Sequence, residues 1–310
     1  MNGTGVVNIL KPPGMTSHDV VDLVRKVFKT KKVGHTGTLD PAAAGVLPIT
    51  VGRATKISQY ITGADKFYRA EITLGIKTDS LDAEGRVLRN IDASAITELD
   101  FRQILNGFVG NIQQVPPMTS AIKIGGKKLY DLHRQGVEIE RPARSVNIYS
   151  IDLVWSTGWG TEHPRVLFDV HCSKGTYIRT LCDDIGDKLG VGAHMSFLLR
   201  TGVGAFKIEN TVTIEDLQNR ANASEVLISM DDALLDYPQV LVKDKAIKSV
   251  LSGAKLYPPG VQQQPKQLEV GEIVRLKANN ELLALAEVQM EIEPETRLVY
   301  KPICILQINL

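Results

Sequence analysis

The sequence predicts an α+β fold, with a mixed, largely antiparallel sheet and flanking helices over residues 1–235 and a small β-rich domain over residues 236–310. Three observations carry this reading. Helical and strand periodicities are interleaved without a regular β-α-β rhythm, which disfavours a parallel sheet with its crossover helices. A polar run from Asn219 to Ser224, followed by Asp231-Asp232 and Tyr237-Pro238, marks a change of domain. Beyond it one helix candidate and three strand-like pieces occupy roughly 70 residues, an ordinary size for a modular domain.

The elements follow in chain order. Val6 to Leu10 reads as a short buried strand ended by Pro12-Pro13-Gly14, and Ser17 as the N-cap of a helix with Val20, Val24, Val27 and Phe28 on one side. Glycines and prolines between Gly34 and Pro48 predict one long loop. Ala54 to Ile61 is expected to be a helix. Phe67 to Leu74 alternates, with Tyr68, Ala70, Ile72 and Leu74 on one face, as a half-buried strand does. Thr97-Glu98-Leu99-Asp100 resembles a capping box opening a helix to about Phe108, and Pro116-Pro117 breaks the chain before a loop and a short basic helix. Strands are expected at Ser145 to Val154 and Arg165 to Cys172, then a helix from about Tyr177 to Leu189. In the C-terminal part the expectation is a helix at Lys245 to Leu251 and strands at Ile273 to Lys277, Leu282 to Val288 and Ile303 to Ile308. Asn279-Asn280 joins the first two of these strands as a hairpin turn.

At 310 residues, 43% hydrophobic and 23% charged, the chain has the composition of a soluble globular protein of about two domains. It has no apolar run of the roughly 18 to 20 residues a membrane helix needs, and its start lacks the basic-then-apolar order of a signal peptide, so a cytoplasmic location is expected. Cys172, Cys182 and Cys304 form no C-x-x-C pair and read as reduced core residues. The net charge is only +1, low for a nucleic-acid binder. Cations nevertheless cluster from Lys11 to Lys56 and again at Lys123, Lys127, Lys128, Arg134, Arg141 and Arg144, which would give a nearly neutral protein one basic face.

Asp40 lies between Leu39 and Pro41 in the glycine-rich segment, where apolar neighbours and the missing proline N–H leave few ways to solvate a carboxylate. Such a group serves as a nucleophile or a base when a scaffold fixes its loop, although an isolated Asp-Pro is more often a turn starter. A glycosidase would need a second carboxylate about 5 to 10 Å away, and Glu71, Asp79 or Asp82 could be nominated only arbitrarily. No metal-ligand spacing such as H-E-x-x-H is present.

The whole segment is more specific than its aspartate. Gly34-His35-x-Gly37-x-Leu39-Asp40-Pro41-x-Ala43-x-Gly45-x-Leu47-Pro48 resembles the catalytic motif of the TruB family of tRNA pseudouridine synthases. Lys11-Pro12-Pro13-Gly14-Met15-Thr16-Ser17 resembles that family's N-terminal motif, and Lys66-x-Tyr68 with Leu74-Gly75 and Thr78-Asp79 its next block. Pro117-Met118-x-Ser120-Ala121-x-Lys123 resembles its central block, and Gly175-Thr176-Tyr177-Ile178-Arg179-Thr180-Leu181 its last. The blocks run in order over residues about 5 to 210, and the position and size of the remaining domain match the family's PUA-type RNA-binding module.

The resemblance implies a catalytic domain over residues 1–235, a PUA-like domain over 236–310, and isomerisation of the T-loop uridine at tRNA position 55. In that reaction the C1′–N1 bond breaks, the uracil turns while bound, and C5 rejoins C1′, with no cofactor and no metal. Carried across the motifs, Asp40 is the catalytic carboxylate and Arg179 its partner, keeping it ionised as a close guanidinium does. Tyr68 and Tyr177 would lie against the flipped base, where stacking offsets the cost of extrusion. His35 would enter the T-loop, Leu198 would line the pocket, and Lys11 would serve as a structural or phosphate contact. The implied partner is the tRNA T-arm, the expected state a monomer without membrane contact. A non-catalytic tRNA-binding protein or RNA folding chaperone is the alternative. Two departures stand out, Leu199 where the family often has arginine and His133 where alanine is usual.

Overall fold

The computed structural model describes residues 3–120, 122–292 and 296–307, with only the backbone of residues 123, 124, 127, 128, 131, 133 and 134. Ala121 and Ile308 lie outside the described residues, as do the side chains of Lys123, Lys127, Lys128, His133 and Arg134.

The first half builds a sheet from β1 (Gly5–Lys11), β2 (Val33–His35), β3 (Ala44–Val51) and β4 (Lys66–Leu74), with α1 (Ser17–Val27) and α2 (Ser58–Thr62) between them. A side hairpin follows, β5 (Ile76–Thr78) and β6 (Val87–Asn90), then α3 (Glu98–Asn106) and β7 (Gly110–Gln114). The next stretch holds the two-residue strands β8 (Lys123–Ile124) and β9 (Lys127–Lys128) and the short helix α4 (Leu129–Arg134). Long strands β10 (Arg144–Thr157) and β11 (Arg165–Cys172) lead through α5 (Ile178–Lys188) to β12 (Ala193–Val203), which is followed by β13 (Phe206–Lys207) and α6 (Ile214–Asn219).

Strand order in the large sheet is β1-β3-β12-β4-β11-β10-β7, antiparallel except where β12 runs parallel to β3. Alternation explains the core. Ala70, Ile72 and Leu74 of β4 share one apolar cluster with Val166, Phe168 and Val170 of β11, and α1, α3, α5 and α6 cover the same cluster with Val20, Phe101, Leu181 and Leu217.

A second sheet has the order β15-β14-β16-β17-β18, from β14 (Gln239–Val242), β15 (Val261–Gln263), β16 (Ile273–Ala278), β17 (Glu281–Glu291) and β18 (Arg297–Ile305), with α7 (Asp244–Leu251) packed on it. Asn279 and Asn280 both have positive φ, 50° and 62°, as the two-residue turn between β16 and β17 requires. A third apolar cluster joins the two sheets, with Val6, Val46 and Ile57 on one side and Leu285 and Leu306 on the other. Among the described residues no helix is long and apolar enough to cross a membrane.

Several expectations need correcting. The segment 34–48 is not one loop, because β2 and β3 claim both ends and leave only residues 36–43 irregular. Pro48 lies within β3 and its carbonyl accepts from the Thr36 N–H and hydroxyl, at 3.2 and 3.1 Å. The α1 cap is Thr16, not Ser17, with a reciprocal capping box to Asp19. The helix expected at 54–61 is a 3₁₀ segment, Gly52–Ile57, running into α2. Strand β12 has no counterpart in the sequence reading, since bulges at Met195/Phe197 and Arg200/Gly202 and the polar Ser196 and Arg200 break its alternation. The last strand is Arg297–Ile305, earlier than the expected 303–308 because it pairs along β17 up to Glu291.

Candidate active site

Residues 36–43 are held from three directions by buried polar side chains. From α1, Ser17 brackets Leu39, accepting from its N–H at 2.9 Å and donating to its carbonyl at 3.2 Å. From β1, Lys11 sends its ammonium to the carbonyls of Pro12, Met15 and Pro41, at 2.9, 2.7 and 3.1 Å. From β12, the Arg200 guanidinium reaches the carbonyls of Val46, Gly37 and Thr38. Gly45 makes that approach possible, since at its φ of +120° a Cβ would lie 2.2 Å from the Arg200 carbonyl oxygen. The backbone on both sides of Asp40 is therefore fixed before any ligand arrives.

Asp40 is presented from this loop to Arg179 in the first turn of α5. Arg179 Nε lies 3.0 Å from one carboxylate oxygen and Nη2 donates to the other at 3.2 Å, a two-point contact that sets the carboxylate plane. The remaining guanidinium donors go to Thr119 and the Ser80 carbonyl, with the Asp82 carboxylate 3.5 Å away. The Arg179 side chain is 6% exposed but that of Asp40 is 34%, so one side of the carboxylate stays open. Burial pushes the Asp40 carboxyl above the usual carboxylate range, Arg179 pulls it back, and Asp82 adds to the rise. Arg179 thus favours the ionised form of Asp40 against the larger opposing effect of burial.

Tyr68 and Leu198 meet the same region from adjacent strands. In the β4–β12 register Tyr68 pairs with Arg200 and Ala70 with Leu198, which puts the tyrosine and the leucine on one face. Burial raises the Tyr68 pKa while the facing Arg200 guanidinium lowers it, and Tyr68 also feels Asp40. Tyr177 immediately precedes α5, its backbone N–H and carbonyl bracketed by the buried Gln114 of β7 at 3.0 and 3.2 Å. His35 ends β2; its Nδ1 accepts from the Gly37 N–H at 3.4 Å, and burial followed by Arg200 lowers its pKa. Lys11 is wholly buried and its pKa is lowered by burial to about 8, with Asp40 opposing, so its ammonium belongs to the loop and no donor is left for a phosphate.

The structure thus gathers Asp40, Arg179, Tyr68 and Tyr177, sets Leu198 on the sheet face of Tyr68 and His35 at the entry to the loop, and puts Lys11 behind the loop. Ser17, Gln114, Thr119, Asp82 and Arg200 also shape the site, and sequence reading had not assigned them. Arg200 had one signal, its place directly after Leu199, where the family often has arginine; Ser17 was read as a cap because capping residues and loop anchors are the same residue types. Of the basic stretch up to Lys56, Lys26, Lys29, Lys31, Lys32, Arg53 and Lys56 are exposed, and the Gly52 N–H donates to the Lys32 carbonyl, which brings its two ends together. Among the described residues no group of three or more His, Cys, Asp or Glu side chains is placed to hold a metal ion.

Residues 25–178 match the model of the TruB family pseudouridylate synthase N-terminal domain. Residues 179–238 match that of the tRNA pseudouridylate synthase B C-terminal domain, and residues 238–293 that of the PUA domain. The tRNA pseudouridine synthase B of Pelotomaculum thermopropionicum is 50% identical over 305 residues, covering 97% of this chain and 96% of that one. The protein of the same name from Alkaliphilus oremlandii is 53% identical over 253 residues, 82% and 83% of the two chains. Among solved structures, a chain of a Cbf5-Nop10-Gar1 complex superposes with a TM-score of 0.78 at 31% identity, covering 98% of this chain and 85% of that one. A chain of an H/ACA RNP bound to a substrate RNA containing 2'-deoxyuridine gives 0.76 at 30% identity, over the same shares.

Proposed function

The chain belongs to the TruB family of pseudouridylate synthases, and we propose that it converts the T-loop uridine at tRNA position 55 to pseudouridine. The observation that carries this reading is the Asp40 carboxylate, fixed on one side by the two-point contact to Arg179 and open on the other. A carboxylate so held can meet an anomeric carbon without first reorganising.

The uridine is extruded and stacks on Tyr68, with Leu198 and Tyr177 closing the pocket and His35 entering the space it vacates. The C1′–N1 bond breaks with its electron pair leaving on the uracil, and Asp40 either bonds to C1′ directly or takes the C2′ proton to give a glycal, returning that proton when C5 bonds to C1′. The uracil turns, C5 bonds to C1′, and loss of the C5 proton restores the ring. N1 gains a proton, so the reaction is an isomerisation with nothing added or lost. Arg179 keeps Asp40 oriented throughout, and the Tyr68 ring supports the turning base by stacking.

RNA binding is supported by the PUA domain and by the exposed cations between Lys26 and Lys56. We assign residues 1–235 to catalysis and 236–310 to the PUA-like module. The test is incubation of the wild type and Asp40→Ala with an unmodified tRNA transcript and mapping of the product. Pseudouridine at position 55 from the first and none from the second, with RNA binding kept, is the expected outcome. Product from Asp40→Ala rejects the assignment of the carboxylate, and product at another uridine rejects the T-loop.

A further inference from the structure

We propose that Arg200 is a positioning residue for the isomerisation, a brace that holds the Asp40 loop and the Tyr68 platform in one fixed relation. The inference rests on the roles given above to Asp40 and Tyr68. Arg200 comes from β12, between the two strands that carry those parts of the site, and is only 1% exposed.

Its guanidinium is used on two sides. Nε donates to the Val46 carbonyl at 2.7 Å, Nη2 to Gly37 at 3.2 Å and Nη1 to Thr38 at 3.4 Å, so it grips both ends of the loop around Asp40. Toward β4 it faces the hydroxyl of Tyr68, its partner in the strand register. The direction of the side chain is set by its own backbone, which packs against Gly45 too closely for any Cβ there.

The charge is unusual for a structural residue. Among the described residues no carboxylate lies within ion-pair distance of Arg200; its guanidinium donates to three backbone carbonyls and stands against the Tyr68 hydroxyl. Burying a cation without a paired anion is costly, and an apolar side chain would fill the same space more cheaply. The titratable groups around it are Asp40 on the loop, Tyr68 and Lys66 on β4, His35 on β2 and Lys11 on β1, and its charge acts on all five. A planar fork with several donors can hold three carbonyls and a hydroxyl at once, whereas a lysine ammonium on the same stem is a single point.

The experiment compares wild type, Arg200→Lys, Tyr68→Phe and the double variant in single-turnover pseudouridine formation on a tRNA transcript, with tRNA affinity and thermal unfolding measured beside it. A displacement of reacting groups by about 1 Å costs on the order of 100-fold. Arg200→Lys, which leaves some of the three buried carbonyls without a donor and so lowers the melting temperature, is therefore expected to lose about 100-fold in rate per folded molecule while tRNA binding is kept. The double variant is expected to lose less than the product of the two single losses, because the residues act through one contact. Full rate from Arg200→Lys, or losses that simply multiply, overturns the brace.

If the lysine variant does not fold, the coupling is read from the other end. Tyr68→Phe removes the hydroxyl and leaves the carbonyl contacts, and amide exchange of residues 37–40 then rises if Arg200 links loop to platform; unchanged exchange rejects the link. Asp40→Ala, assayed in parallel, separates the two ideas. Product from it overturns the site reading, whereas an inactive Asp40→Ala beside a fully active Arg200→Lys overturns the brace alone.

Discussion

The catalytic loop and the C-terminal sheet are stabilised by opposite means. Residues 36–43 are held by buried polar side chains, with Ser17, Lys11 and Arg200 meeting backbone carbonyls and amides one by one. The sheet of β14 to β18 is held by apolar packing, from Val240 and Leu276 to Leu285 at the joint with the larger domain. Apolar contact is non-directional and supplies most of the free energy of folding. Directed hydrogen bonds give less net stability each but specify where a group stands. The difference teaches where sequence changes register: in the loop they appear in the rate, and in the C-terminal sheet in the melting temperature.

The largest expected effect tests the apolar side. Leu285→Ala empties a fully buried position in the cluster shared by the two sheets and should cost about 2–5 kcal/mol of stability. Thermal or denaturant unfolding checks this, and the rate per folded molecule should stay at the wild-type value. A large rate loss in the folded variant would break the contrast.

Ser17→Ala tests the polar side. It leaves the N–H and the carbonyl of Leu39 without the partner they have, at about 1–3 kcal/mol for buried groups left unsatisfied. Here the loss should appear chiefly in single-turnover rate, with tRNA affinity kept. A variant that loses only melting temperature would show that Ser17 is ordinary core.

Acidity sharpens the same point. Asp40 must be ionised to act, and burial raises its pKa, so the fraction of active carboxylate falls as pH drops through that raised value. The pH–rate profile of chemistry should bend on its acid side above the ordinary aspartate value of about 3.9 and fall tenfold per pH unit below the bend. A bend at or below that value would mean that Arg179 outweighs desolvation after all.

The smallest effect is a control on the surface. Thr97 caps α3 by a reciprocal bond with Asp100, and Thr97→Ala should cost about 1 kcal/mol of stability with no change in rate.

The sequence was legible where one residue carries one signal. The alternation of Tyr68, Ala70, Ile72 and Leu74, the capping box at Thr97 and the Asn279-Asn280 turn each stand in the structure as read. It was silent where a residue serves a distant segment. Strand β12 went unseen because Arg200 points a charge into a buried position for the sake of Gly37 and Thr38, more than 160 residues away in sequence. Ser17 read as a cap because a hydroxyl at a helix start gives no hint that its partner is Leu39. Pro48 read as a strand breaker, although within β3 its carbonyl is the atom that matters, accepting from Thr36.

The central claim is that the ionised Asp40 carboxylate, held by Arg179, performs the isomerisation. Its most direct test is single-turnover conversion of an unmodified tRNA transcript by Asp40→Asn, which keeps the size of the side chain and removes its charge. The expected result is tRNA binding at the wild-type level with no pseudouridine formed; pseudouridine formed at the wild-type rate would contradict the account.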